Sequence, residues 1–261
     1  MSKVLIATEK PFAAPAVAGI KQILSEAGFD VVLLEKYTAK SELLAAVADV
    51  DAIIIRSDII DKEVFDAAHQ LKIVVRAGAG YDNVDLEAAT AHGVCVMNTP
   101  GQNANAVAEL VFALLLFSVR NRFNGTSGTE LKDKKLGLLA YGNTGRNVAR
   151  IAKGIGMDIY AYDPFTPAEV IEKEGVHAVA SQKELFSTCD VVSLHIPATP
   201  ETKGSIGREL VSLLPKKAIL VNTARKEIIN EPELIALLKE REDLRYLADI
   251  RPAAHEEFEA A

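Results

Sequence analysis

The sequence predicts an α/β protein of two domains, each a parallel sheet wound with helices. Three observations carry this. The chain has 261 residues, a length suited to one large or two modest domains. Short apolar runs alternate with segments of helical period from the start, and strands that alternate with helices pair in parallel. The alternation breaks once, at Asn98-Thr99-Pro100-Gly101, a cluster of turn formers, and then resumes.

The first series of strands is expected at Val4–Ala7, Val31–Leu34, Ala52–Ile55, Ile73–Val75 and Val94–Met97. Each is a short apolar run bounded by turn residues or helical spacing. Val17, Ile20, Leu24 and Ala27 fall on one helix face and mark the first connecting helix. After the break, Asn103 to Val119 reads as one long helix. It is apolar nearly all round (Val107, Ala108, Leu110, Val111, Leu114, Leu115, Leu116), the pattern of a helix buried between layers or domains. Asn121 to Lys135, with Gly125, Ser127, Gly128 and several charges, reads as an exposed connection. The second series is expected at Leu136–Ala140, Asp158–Tyr162, Val191–His195, Ala218–Val221 and Tyr246–Asp249. The two series share an architecture without sharing a sequence repeat. The domains are therefore placed at 1–99 and 100–261.

Composition narrows the classes of function. Hydrophobic residues make up 49% of the chain and charged residues 25%, enough apolar material for two cores. The net charge is −7 with no basic block, which argues against a nucleic-acid surface. No apolar run reaches the roughly 18 residues of a membrane span, and Lys3 is followed by too few apolar residues for a signal peptide. Cys95 and Cys189 lie in apolar strand-like runs and read as buried, reduced thiols. These features point to the cytoplasm. No cluster of metal-ligand type is seen.

Leu136-Gly137-Leu138-Leu139-Ala140-Tyr141-Gly142-Asn143-Thr144-Gly145-Arg146 is a strand, a tight turn and a helix start. Val148, Ile151, Ala152 and Ile155 give that helix a buried stripe. Free N–H groups at such a helix start attract a pyrophosphate, and glycine lets the backbone approach it closely. The pattern departs from G-x-G-x-x-G at its first glycine, which is Ala140. Alanine does not take a positive φ cheaply, so a slightly reshaped turn is expected. Gly142 and Gly145 remain, with Asn143 and Thr144 between them. Asp163 ends the next strand about 20 residues on, where a carboxylate binds the ribose 2′-hydroxyl of a dinucleotide. The same charge repels a 2′-phosphate, so NAD is expected over NADP. The competing reading is that Asp163-Pro164 only makes a turn.

Further stretches resemble a known family, the D-isomer-specific 2-hydroxyacid dehydrogenases, over essentially the whole chain, and most closely its short phosphoglycerate dehydrogenases. Arg76-Ala77-Gly78-Ala79-Gly80-Tyr81-Asp82-Asn83-Val84-Asp85 resembles the substrate-carboxylate loop. Asn98 to Asn103, with Ala108-Glu109 beyond, resembles the first interdomain crossover. Leu194-His195-Ile196-Pro197 followed by Thr199-Pro200-Glu201-Thr202-Lys203-Gly204 resembles the cofactor-side loop, and Asn222-Thr223-Ala224-Arg225 the segment holding the catalytic arginine. The fold class this implies is α/β, with a flavodoxin-like substrate domain and a Rossmann-type dinucleotide-binding domain.

The chemistry can be argued residue by residue. Oxidising a 2-hydroxy acid requires a cation on the carboxylate, a base for the hydroxyl proton and a hydride acceptor. Arg225 follows a strand at the end where open α/β sheets bind ligands, and guanidinium suits a carboxylate; without the family it would equally read as a surface arginine. The resemblance implies that Arg225 is catalytic, binds substrate and lies in a cofactor-binding segment with Thr223 and Ala224. It likewise implies cofactor contacts for His195, Ile196, Pro197, Thr202 and Asp249, with His195 in the cofactor loop rather than acting as the base. Gly78, Ala79 and Gly80 offer N–H donors to the substrate carboxylate, or form a simple turn. Arg56-Ser57 follows a strand end, where phosphoglycerate dehydrogenases carry an arginine on the substrate phosphate.

Two departures matter. The resemblance implies a histidine–glutamate acid/base pair, or a lysine in some short relatives, beyond the last strand. Five residues after Asp249 stands Ala254, and the histidine position lies past Ala261. The 261 residues are therefore read as an incomplete record of a longer protein whose return helix to the first domain is missing. A truncated form is the alternative, and it would expose one side of the apolar helix. Lys226-Glu227 also replaces a usual glycine pair. The expected function is NAD-dependent oxidation of 3-phospho-D-glycerate to 3-phosphohydroxypyruvate in serine biosynthesis, by a homodimer joined through the NAD domain. The alternatives are a relative acting on glyoxylate, hydroxypyruvate or lactate, and an NAD-sensing binding protein without catalysis.

Overall fold

The computed structural model describes residues 2–259. The expected end of the second domain at Ala261 lies outside the described residues. The chain divides into two compact units, Met1–Gln102 and Asn103–Ala261.

The first unit runs β1 (Lys3–Thr8), α1 (Ala14–Glu26), β2 (Asp30–Glu35), α2 (Lys40–Val47), β3 (Ala52–Ile55), α3 (Lys62–Ala67), β4 (Ile73–Arg76), α4 (Leu86–Ala91), β5 (Cys95–Asn98). All its strands pair in parallel, in the order β2-β1-β3-β4-β5. This is the flavodoxin-like order, with its switch point between β1 and β3. Central strands are the most buried: Leu5, Ile6, Ile53, Ile55 and Val74 are fully inside. Local signals start the helices. Asp61 accepts the Val64 N–H and Asp85 the Ala88 N–H, N-caps that satisfy orphan donors.

One expectation fails here because of position in the sheet, and the same position sets the cover of α1. β5 is an edge strand with alternating exposure, so Cys95 is exposed rather than buried; only Cys189 is buried. The helix α1 beside edge strand β2 buries none of its residues. Val17, Ile20 and Leu24 are half-buried and Ala27 is exposed.

The second unit runs α5 (Ala104–Val119), β6 (Lys135–Leu139), α6 (Asn143–Ile155), β7 (Asp158–Tyr162), α7 (Ala168–Lys173), β8 (His177–Ala178), α8 (Gln182–Thr188), β9 (Val191–Leu194), α9 (Arg208–Val211), β10 (Ile219–Asn222), α10 (Glu231–Glu240), β11 (Arg245–Ala248), α11 (His255–Glu259). The sheet order is β11-β10-β9-β6-β7-β8, all parallel, which is the Rossmann order around a switch point between β6 and β9. The two-residue β8 is too short to leave a period in the sequence. Ser181 and Asn230 cap α8 and α10.

α5 is less enclosed than its composition suggests. Ala108, Val111, Phe112, Leu115 and Val119 enter a core with Val148, Ala149 and Ala152 of α6, while Leu116 and Phe117 are each 44% exposed. α6 contains Gly145 and Gly154, each costing a helix about 1 kcal/mol against alanine. Burial of Val148, worth about 1.5–3 kcal/mol, offsets most of this, so packing and not propensity holds α6. Among the described residues, no helix is long and apolar enough to cross a membrane.

Candidate active site

The expected site residues of the second unit all follow the C-terminal ends of its strands. Gly142 to Gly145 follow β6, Asp163 follows β7, His195 to Pro197 follow β9, Thr223 to Arg225 follow β10, and Asp249 follows β11. Ligands of open α/β sheets bind at this edge.

The turn after β6 is built from backbone and one carboxylate. Ala140 N–H bonds Tyr162 O (2.9 Å), and Tyr141 N–H donates to Asp163 Oδ2 (2.8 Å). Asp163 also accepts from Phe165 N (2.8 Å) and Thr166 Oγ1 (3.1 Å). Tyr141 is buried; its hydroxyl donates to Glu174 Oε2 (3.0 Å). Glu174 also pairs with Arg146, whose guanidinium lies 5.0 Å above the Tyr141 ring.

Two glycines differ in purpose. A Cβ on Gly145 would lie 2.5 Å from Ala140 O, so Gly145 allows helix and turn to pack. A Cβ on Gly142 would meet nothing within 4 Å, which leaves open the space before the α6 N-terminus. The first N–H groups of a helix have no partner within it.

The turn is not reshaped at Ala140. Its φ is +80°, so alanine adopts the conformation a glycine would. A non-glycine residue there bears about 1–2 kcal/mol of strain. Ala140→Gly removes it and gives back about 0.5–1 kcal/mol in unfolded-chain entropy. The expected net is a stabilisation of about 0.5–1 kcal/mol and a Tm rise of about 2 °C, read by thermal denaturation; a lower Tm refutes the strain.

After β9, His195 N–H bonds Leu139 O (2.9 Å). The ring Nε2 is buried with no hydrogen-bond partner among the described residues, and burial pushes the imidazole down to about 4. At neutral pH it carries no proton charge. Ile196 packs on the sheet core. Thr202 staples this loop: its hydroxyl donates to Pro197 O (2.5 Å) and accepts from Thr199 N (2.7 Å).

Arg225 is half-buried and held through Asn222, a buried residue the sequence reading did not single out. Asn222 Nδ2 donates to Arg225 O (2.9 Å) and Tyr246 Oη (3.3 Å), and its Oδ1 accepts from Ala224 N (3.0 Å). The available signal was an asparagine at a strand end, which bonds the backbone two residues on. Arg225 Nη1 donates to Ala224 O (2.9 Å). Asp249 lies on the exposed surface, where partial desolvation raises its carboxyl and the nearby Arg225 charge lowers it. These residues fit a dinucleotide. Beside the open cradle at Gly142, the buried Thr223 Oγ1 and His195 Nε2 have no partner among the described residues, and such orphans call for a ligand or water.

In the first unit, Arg56 and Ser57 are exposed past β3. Arg56 Nη1 donates to Pro11 O (3.3 Å). Past β4, Gly78 N–H turns back to Arg76 O (2.9 Å). That engages one of the three expected donors, because the chain makes a tight turn there. Ala79 O accepts from Asn98 Nδ2 (2.7 Å) and Gly78 O from Thr99 N (2.9 Å). This fixes the loop while Ala79 and Gly80 keep their N–H groups unbonded among the described residues.

Comparison with known proteins places this geometry. The NAD-binding domain of D-isomer specific 2-hydroxyacid dehydrogenases matches residues 116–257. The chain is similar to a crystal structure of NAD+-bound 3-phosphoglycerate dehydrogenase from Entamoeba histolytica, with 49% identity and a TM-score of 0.91, covering 97% of this chain and 82% of that one. It is 40% identical to D-3-phosphoglycerate dehydrogenase of Methanocaldococcus jannaschii over 234 residues, 84% of this chain and 43% of that protein. It is 36% identical to hydroxypyruvate reductase of Thermotoga maritima over 219 residues, 78% of this chain and 70% of that protein. The chain thus spans less than half the length of the Methanocaldococcus relative. It belongs to the D-isomer specific 2-hydroxyacid dehydrogenase family and carries that family's NAD-binding domain.

Proposed function

We propose that the chain oxidises 3-phospho-D-glycerate to 3-phosphohydroxypyruvate with NAD, the step that enters serine biosynthesis. The observation that carries this reading is Arg225, presented at the ligand edge of the sheet by Asn222 with Asp249 in electrostatic reach. NAD, when bound, supplies the acceptor for the hydride leaving C2. Gly142 to Gly145 and Asp163 hold the pyrophosphate and ribose ends. Arg225 grips the substrate carboxylate and polarises the C2 oxygen. In the first unit, Ala79 offers its N–H to a carboxylate, and Gly78 shapes the loop. Arg56 and Ser57 take the phosphate. The neutral His195 lines the cofactor side, and the proton acceptor is not among these residues.

A cytoplasmic setting agrees with the free thiols of Cys95 and Cys189. The exposed Leu116 and Phe117 on α5 suit a homodimer joined through the NAD unit.

The test follows NADH absorbance with 3-phosphohydroxypyruvate and with hydroxypyruvate. Turnover preferring the phosphorylated acid supports the reading. Arg56→Ala is expected to raise KM for the phosphorylated acid roughly 10–100-fold, the loss of a charge-assisted contact, and to leave the other acid nearly untouched. Equal use of both acids favours a relative of hydroxypyruvate reductase type. Tight NADH binding without turnover leaves a binding protein.

A further inference from the structure

Asp58 stands out in the first unit because its carboxylate is buried, with the residue only 2% exposed. Burying a carboxylate is unfavourable unless hydrogen bonds replace water, and here they do. Oδ1 accepts from Tyr37 Oη (2.7 Å) and Glu9 N (2.7 Å), and Oδ2 from Arg56 N (3.2 Å). Glu9 follows β1, Tyr37 follows β2 and Arg56 follows β3, three neighbouring strands of the sheet. One carboxylate therefore gathers three strand ends at the ligand-bearing edge. Burial, aided by Asp58, pushes the Tyr37 phenol far above its ordinary value, so it remains a donor.

Two hydrogen bonds donated by Arg56 trace back to this group. Its N–H bonds Asp58 directly. Its Nη1 bonds Pro11 O, in the loop that Asp58 anchors through Glu9 N–H. The Asp58 carbonyl accepts from Asn83 Nδ2 (2.7 Å), and Asn83 O accepts from Ile60 N (2.9 Å). The Arg56 loop is thereby joined to the loop that begins at Gly78.

We propose that Asp58 is a positioning residue for substrate selection, fixing where the Arg56 guanidinium meets the phosphate of a phosphorylated 2-hydroxy acid. This rests on the reading of Arg56 given above. An arginine held in place loses less freedom on binding and discriminates more sharply.

The experiment measures KM and kcat of the full chain for 3-phosphohydroxypyruvate and hydroxypyruvate in Asp58→Asn, Tyr37→Phe, Arg56→Ala and the Asp58→Asn/Arg56→Ala double variant. Asp58→Asn is expected to raise KM for the phosphorylated acid about 10-fold, with a much smaller change for hydroxypyruvate. Tyr37→Phe, which keeps two of the three hydrogen bonds, moves the same ratio less and serves where Asp58→Asn folds poorly. On the Arg56→Ala background, Asp58→Asn adds nothing. Equal effects on both acids, a change in Tm alone, or additive effects in the double variant overturn the proposal. If Arg56→Ala itself fails to separate the two acids, the reading of Arg56 falls and takes this one with it. If Arg56→Ala separates them and Asp58→Asn and Tyr37→Phe do not, only the positioning role falls.

Discussion

Arg225→Gln is expected to lower kcat/KM about 10²–10³-fold, the range for removing one preorganised donor to a developing oxyanion. The loss should appear in kcat as well as KM, because a guanidinium that only held the carboxylate would shift KM alone. NADH affinity should change little. The local backbone is held by Asn222 through Arg225 O and Ala224 N, and neither bond uses the guanidinium. Arg225→Lys keeps the charge and loses the planar fork, so it should recover only part of the activity. Steady-state kinetics with NADH titration by fluorescence checks both halves. Full activity in Arg225→Gln refutes the catalytic assignment, and a matching loss of NADH binding makes Arg225 a cofactor residue first.

How much of this was legible beforehand follows from the range of the interactions involved. Buried parallel strands are apolar runs between turns, so β1, β3, β6 and β9 announce themselves locally. Cys95 misled because an apolar run does not say whether its strand is central or at the edge. α1 was legible as a helix, while the cover of its Val17, Ile20 and Leu24 face depends on edge strand β2, which the helical spacing does not show. Ala140 was legible as a conflict between motif and residue. That the residue bends to the motif follows from the surrounding bonds, Ala140 N to Tyr162 O and Tyr141 N to Asp163. Asp58 was not legible at all. An aspartate after a strand reads as a turn, and its meaning comes from Glu9, 49 residues away in sequence, and Tyr37, 21 away. Within the candidate site, Asn222 lies inside a readable segment and holds Ala224 and Arg225 within it, whereas its contact with Tyr246 and all that Asp58 gathers depend on residues far off in sequence.

Asp163→Asn provides the second large effect and a test of cofactor choice. A carboxylate offers about four acceptor positions. In Asp163 the chain already occupies three, with Tyr141 N and Thr166 Oγ1 on Oδ2 and Phe165 N on Oδ1. The group is thus fixed before a ribose arrives, with its remaining acceptor position on Oδ1. Hydrogen bonds to a charged group contribute about 1.5–3 kcal/mol, so NADH affinity should fall about 10–100-fold in Asp163→Asn. NADPH should lose far less or gain, because the charge facing a 2′-phosphate is removed. The ratio of the two affinities is the decisive readout. Damage to the turn, expected as a lower Tm because the amide has one acceptor oxygen instead of two, weakens both cofactors alike and leaves the ratio unchanged. Thr166→Val sharpens the point: it frees a second acceptor on Oδ2 without altering charge, and should leave NADH binding intact or slightly tighter. An unchanged NADH-to-NADPH ratio in Asp163→Asn would mean that this carboxylate serves the turn after β6 and not the ribose.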